Sequence, residues 1–293
     1  MKKLAELYDR LLDRPYFMLA SSLFLLLIFM SILAYNYTTR GEIFQKGLDF
    51  SGGTQIVVIM KDDFDLGELT SMMRERFGRD VIVKKAKSSD QYLLVVESQG
   101  EMRKEDVLSL LEKKGYSHED ASVYAVSAAV SSAFWKQAIK AFIIAFVGMA
   151  LVVFITFRVP LPSIAIILAA VSDIVAAIAL MNLLGIKMTL ATFSALLILL
   201  GYSVDTDILL STRVLKRGVG SVNERIKDSV KTGLTMTTTS ILAMVALHLL
   251  TPSETLKQLS AVIIFGLCAD IPFTWIQNAS LLKIYLERGG KWS

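Results

Sequence analysis

Two carboxylates, Asp205 and Asp207, lie in the stretch Gly201-Tyr202-Ser203-Val204-Asp205-Thr206-Asp207, inside an otherwise apolar run from Leu190 to Thr212. Near the centre of a membrane helix each acid costs roughly 2.5 to 3.5 kcal/mol. Acids kept in such a place are expected to be in use, either as protonatable relay groups or as hydrogen-bond and ion-pair anchors between helices. Residues two apart on a helix point roughly 200° away from each other, so the two acids address different faces. Gly201, Asp205 and Thr212 make one stripe, on which Gly201 allows close helix approach; Ser203, Asp207 and Ser211 make a second, polar stripe. Asp173 and Asp270 lie near the middle of two other apolar runs, and Lys231 enters a further run at one end. These three are candidate partners, and Asp205, Asp207, Asp173, Lys231 and Asp270 form the set of ion-coupling candidates. Thr232, Thr235 and Thr239 share a helix face, where their hydroxyls either line a wet path or return hydrogen bonds to the preceding turn.

Other chemistry is not supported by residue type or spacing. No nucleophile, base and orienting group fall at a recognisable spacing, so no catalytic site is expected. His118, His248 and Cys268 are too few and too scattered for a metal cluster, and no cofactor is implied; Cys268 reads as a small packing residue. Asp49-Phe50-Ser51-Gly52-Gly53-Thr54 lacks the G-x-G-x-x-G spacing and a following helix, so Gly52 and Gly53 read as a tight bend and Asp49 as a turn acid.

The elements that hold the acids follow from hydropathy. Of 293 residues 54% are hydrophobic, and six apolar runs approach the ~20 residues a membrane-spanning helix needs: Phe17 to Tyr37, Ala138 to Phe157, Ser163 to Leu184, Leu190 to Thr212, Thr232 to Leu250 and Leu259 to Tyr285. The first is too long for a signal-peptide core and reads as a retained anchor. Lys and Arg collect on one side of this arrangement, from Lys2, Lys3, Arg10 and Arg14 through the Arg213 to Lys231 connection to Lys283, Arg288 and Lys291, whereas the opposite short loops hold only Lys187 and Lys257. Basic residues near span ends stay cytoplasmic, which puts both termini on the cytoplasmic side of a cell membrane and residues 38–137 on the extracytoplasmic side. That asymmetry accounts for the net charge of +4 without a nucleic-acid partner. Arg158 to Pro162 is expected to form a tight turn because its two prolines do not continue a helix, and Arg213 to Lys231 a solvated amphipathic connector.

The polar segment 38–137 carries β-rich runs at Gln55 to Met60, Val81 to Ala86, Tyr92 to Glu97 and Ser122 to Val126, with helical spacing at Leu66 to Phe77 and Met102 to Lys114. Asp65 and Glu68 have capping-box spacing, and Gly78 and Gly115 follow the two helices. The order is that of a ferredoxin-like β-α-β-β-α-β unit. The expected fold is a membrane α-helical bundle of six transmembrane helices in a 1+5 layout with an α+β ferredoxin-like extracytoplasmic domain. Its parts are 1–37, the N-terminus and first helix; 38–137, the outer domain; and 138–293, five helices and the C-terminus.

Asp49-Phe50-Ser51-Gly52-Gly53-Thr54 after the first span, with Gly201 to Asp207 followed by Arg213, resembles the SecF family of the Sec protein-export machinery. The resemblance covers essentially the whole chain and looks more like the archaeal form. Bacterial members usually read Gly-Tyr-Ser-Ile-Asn-Asp, with the acid where this chain has Thr206, and a family arginine matches Lys231. The resemblance implies an RND-superfamily subunit pairing with SecD, acting on the SecYEG translocon and a translocating polypeptide, with movement coupled to proton flow. The rival expectation is an uncoupled, chaperone-like binding and assembly subunit.

Overall fold

The computed structural model describes residues 8–78, 81–88, 91–216 and 220–290; Lys2, Lys3, Arg217 and Lys291 of the basic set lie outside the described residues. Among the described residues six helices are long and apolar enough to cross a membrane: α1 (Pro15–Arg40), then α4 (Ala128–Phe157), α5 (Pro160–Leu183), α6 (Leu190–Lys216), α7 (Val222–Leu250), and a last continuous span made of α8 (Glu254–Pro272), a π-helical segment (Phe273–Asn278) and α9 (Ala279–Glu287). Between α1 and α4 lie α2 (Leu66–Phe77), α3 (Lys104–Lys113) and strands β1 (Gly53–Met60), β2 (Ile82–Ser88), β3 (Gln91–Ser98) and β4 (His118–Val126). The chain divides into two compact units, Lys46–Ile139 and the remainder.

The strands make one antiparallel sheet in the order β2-β3-β1-β4. Burial alternates residue by residue along β1, so Ile56, Val58 and Met60 face inward, where they join Leu94 and Val96 of β3. Leu69 and Met73 of α2 and Val107 and Leu111 of α3 complete this core, as the period of two in strands and 3.6 in helices requires. Asp65 caps α2 by accepting from the Gly67 and Glu68 amides. The other half of the expected capping box is absent, because the Glu68 carboxylate accepts from the Tyr116 hydroxyl (2.8 Å) instead.

In the helical unit burial sorts the spans into two groups. The most apolar stretches of α5, α6 and the last span are 61%, 56% and 61% buried, against 11% for α1, α4 and α7. Three helices therefore form the middle, and their acids meet there. Residues 41–45 belong to this unit: Asn182 donates to the Ile43 carbonyl (2.7 Å) and the Met188 amide to the Gln45 carbonyl (2.7 Å).

Three local expectations are corrected. Pro160 and Pro162 lie inside the first turn of α5, where proline's missing N–H costs nothing and its fixed φ suits a helix start. The turn is only Arg158 and Val159, with Arg158 in the left-handed region at φ 53°. Most of the Arg213 to Lys231 connector is helical, since α6 runs to Lys216 and α7 begins at Val222 behind a full capping box of Ser221 and Glu224. Cys268 is exposed on the helix surface, outside the packing the sequence suggested for it.

Candidate functional site

A buried polar cluster occupies the middle of the three inner helices. Asp173 comes from α5, Ser203, Thr206 and Asp207 from α6, Asp270 from α8, and Thr274, Gln277 and Asn278 from the π-helical segment; apart from Thr206, at 4%, all are 0% exposed. Pro272 ends α8 and has no amide to donate, and the six residues after it are wound as π-helix. Such a bulge inserts extra backbone into a helix, and here Thr274 and Asn278 reach α6 and Gln277 reaches α5.

The bonds form a chain. The Ser203 hydroxyl donates to Asp173 Oδ2. The Thr206 hydroxyl lies 3.1 and 3.2 Å from the two Asp270 oxygens and 2.8 Å from the Ser203 carbonyl. The Thr274 hydroxyl stands between two acids, 2.8 Å from Asp270 Oδ1 and 3.0 Å from Asp207 Oδ1, and Asn278 donates its Nδ2 to Asp207 Oδ1 (2.7 Å). Ser172 and Gln277 bond one another alongside (3.3 Å).

A threonine hydroxyl has one proton to give, so Thr274 donates fully to Asp207 or to Asp270 and not to both. Whichever carboxyl is protonated decides the direction of that hydroxyl, and a change at one acid is felt at the other. Among the described residues no Lys or Arg forms an ion pair with Asp173, Asp207 or Asp270. Unpaired buried charge is very costly, so the neutrality of the cluster has to come from protons or bound cations.

The structure separates the two motif acids as the helical spacing requires. Asp207, Ser203 and Ser211 are buried; Asp205 and Gly201 face outward, and Asp205 has no hydrogen-bond partner among the described residues. Nothing lies within 4 Å of a Cβ placed on Gly201, so within this chain Gly201 is not a close-packing point. Lys231 is not brought to the acids: it is exposed and lines an open groove of 450 Å³ with Arg213, Asp228, Thr232, Thr235 and Met236. Thr232, Thr235 and Thr239 return their hydroxyls to carbonyls four residues back, at 3.3, 2.9 and 3.0 Å, and Arg213 also donates to Thr232 (2.8 Å). Sequence reasoning missed Thr274, Gln277 and Asn278. Their only signal was polarity beside Pro272 in an apolar run, and a regular helix from that point would have aimed them elsewhere.

The Asp49 motif builds the entrance to β1. Residues Leu48–Ser51 form one helical turn, Phe50 is buried against the Trp135 ring (5.3 Å, edge-on), and Asp49 accepts from the Tyr124 hydroxyl (2.6 Å) of β4. Gly52 and Gly53 take φ of 76° and 128°, the left-handed region that favours glycine. The hydrogen bond to Asp49, then burial, then the carboxylate's charge push the Tyr124 hydroxyl up from 10.0 to about 12. With the folded value above the unfolded one, the stabilisation is whole below pH 10.0 and is lost as pH rises toward about 12. Among the late-titrating tyrosines, a spectroscopic titration of tyrosinate should find one near pH 12 that Asp49→Asn returns toward 10.0; an unchanged titration curve in Asp49→Asn would show that the bond does not persist in solution.

Comparison with known proteins agrees with this architecture. A family model described as "Protein export membrane protein SecD/SecF, C-terminal" matches residues 106–288. The protein-export membrane protein SecF of Methanocaldococcus jannaschii is 40% identical over 272 residues, covering 89% of this chain and 92% of the relative. SecF of Pyrococcus furiosus is 37% identical, covering 89% and 88%. The crystal structure of SecDF from Thermus thermophilus, a translocon-associated membrane protein, superposes with a TM-score of 0.74 at 21% identity. It covers 94% of this chain, which spans 38% of that longer one. Six apolar helices, a small antiparallel sheet unit and relatives matched over nearly their whole length make this a multi-pass membrane protein with a role in protein export, and the chain belongs to the SecF family of protein-export membrane proteins.

Proposed function

We propose that this chain is a non-enzymatic subunit that pairs with SecD and assists the SecYEG translocon in moving polypeptides outward. Its buried acids respond to the ion gradient, the proton gradient being the one the resemblance implies. Both termini are cytoplasmic, following the Lys and Arg bias, and the sheet unit, which we read as a ferredoxin-like module, lies outside and handles the emerging chain.

The observation that carries the coupling is the chain of Asp173, Asp270 and Asp207 joined through the Ser203 hydroxyl and carbonyl and the Thr206 and Thr274 hydroxyls. One charge crossing about 100 mV supplies about 2.3 kcal/mol, enough to shift a two-state element strongly. The observation that supports the pairing is Asp205, which faces outward from the middle of a spanning helix with no hydrogen-bond partner among the described residues. Lipid is a costly neighbour for such a group, and a protein surface is not.

Two measurements test this. In membrane vesicles holding the whole translocon, Asp207→Asn should slow gradient-driven export at least tenfold. Export unaltered in Asp205→Asn, Asp207→Asn and the double variant would leave the rival reading, an uncoupled binding and assembly subunit. In a Cys268→Ser background, cysteine at Gly201 should cross-link to SecD and cysteine at Ser203 should not, because Ser203 is buried inside its own chain; equal cross-linking from both sites would contradict the assignment of faces.

A further inference from the structure

One side of Asp207 remains unexplained by the hydroxyl chain. Its Oδ1 atom is fully engaged, with Thr274 at 3.0 Å and Asn278 at 2.7 Å. Its Oδ2 atom has no hydrogen-bond partner among the described residues, and neither does the Ser211 hydroxyl or the Asn278 carbonyl oxygen; all three residues are 0% exposed. The three residues are adjacent in the fold. Ser211 follows Asp207 by one helical turn on the same face of α6, and the Asn278 amide is pinned beside Asp207 by its own bond.

Ser211 is unusual among the serines of these helices. Ser163, Ser172, Ser194 and Ser229 return their hydroxyls to the carbonyl four residues back, whereas Ser211 does not. The Asn278 orientation is likewise constrained, since exchanging its oxygen and nitrogen would set two acceptors 2.7 Å apart. A buried hydroxyl and amide carbonyl with nothing to bond normally cost about 1 to 3 kcal/mol each. A carboxylate, a hydroxyl and an amide oxygen together are what a hard cation takes as ligands.

We propose that Asp207 Oδ2, Ser211 Oγ and Asn278 Oδ1 form a binding site for one dehydrated monovalent cation, with sodium as its ligand class. This deepens the ion-responsive reading of the cluster and rests on it. One carboxylate and two neutral oxygens balance a single charge. A divalent ion is disfavoured because such ions recruit several carboxylates or keep bound water, and no group of three or more His, Cys, Asp or Glu residues among the described residues is placed to hold one. Asp270 and Asp173 reach the site only through hydroxyls and remain outside the ligand set.

The test uses the purified full chain in lipid nanodiscs, titrated with sodium chloride against choline chloride at constant ionic strength, with thermal unfolding as the readout. Sodium should raise the unfolding temperature saturably, as a ligand of the folded state does, and choline should not. Asp207→Asn and Ser211→Ala should each weaken the apparent sodium affinity roughly ten- to a hundredfold, with helix content and the unfolding temperature in choline preserved in Ser211→Ala. That small variant carries the test if Asp207→Asn fails to fold. A sodium response equal to that of choline, or one unchanged in Ser211→Ala, overturns the site and leaves a proton as the occupant of Asp207. The outcomes separate from those of the export assay: absent sodium binding with export lost in Asp207→Asn sinks only this inference, whereas sodium binding with normal export sinks the coupling.

Discussion

Gly53→Ala is expected to unfold the sheet unit at room temperature or leave it only marginally stable. Gly53 opens β1 at φ 128°, where a side chain is strained, and a Cβ there would stand 2.2 Å from the Ser98 carbonyl and 2.9 Å from Gln99 Cα. Both obstacles are backbone. Ser98 is fixed by its pairing with Thr54, so relief requires breaking the β1–β3 register at its first rung. Strain at such a position is worth about 1 to 3 kcal/mol, and the clash adds about as much again. The total is a large part of what holds a small domain together. Denaturant unfolding of the intact chain, followed by limited proteolysis of the sheet unit, measures it; a loss below about 1 kcal/mol would mean that the bend is less rigid than drawn. Gly52→Ala, whose Cβ would meet Ser131 Oγ and the Val126 carbonyl at 3.3 Å, should be milder.

Gly266→Ala should have the largest effect in the helical unit, and its damage should appear in export as well as in stability. Gly266 stands one turn before Asp270 on α8, and a Cβ there would lie 2.0, 2.4 and 2.7 Å from Cδ2, Cδ1 and Cγ of Leu199, itself one turn before Ser203 on α6. Leu199 is fully buried, so its branched end has nowhere to swing. The helices must part, and the hydroxyl links from Thr206 to Asp270 and from Thr274 to Asp207 lengthen with them. Overpacking of this kind costs about 1 to 3 kcal/mol, and export should fall at least tenfold. Adding Leu199→Ala makes room and should recover most of both losses. A double variant no better than Gly266→Ala would show that the two residues do not press on one another.

Much of this was written in the sequence at the level of pattern. The strand positions follow from alternation of apolar residues such as Ile56 and Val58, and the separation of Asp205 from Asp207 follows from the helical step alone. Both are local properties, set by covalent geometry. What the sequence hid depends on contacts between segments or on departures from regular geometry. Glu68 has the spacing of a capping box, yet Tyr116, 48 residues away, takes its carboxylate. Gly201 has the look of a packing residue, yet none of the described residues comes within 4 Å of a Cβ placed there. Lys231 looked like a partner for the acids because it enters an apolar run at one end, but it lines a surface groove with Arg213 and Asp228. Thr274, Gln277 and Asn278 are hidden in the sequence because nothing local marks the departure from a period of 3.6 after Pro272.

That local change of winding makes the last span a composite part. Its first half carries Asp270 and its second half carries Asn278, and six π-wound residues set the phase between them. In a regular helix one residue added or removed turns everything beyond it by about 100°. The gain of one further residue between Pro272 and Asn278 would therefore keep both halves helical and apolar, and the chain nearly the same length, while swinging Asn278 away from Asp207. The span behaves as a key cut in two sections, in which composition guards the depth of insertion and residue count alone guards the angle.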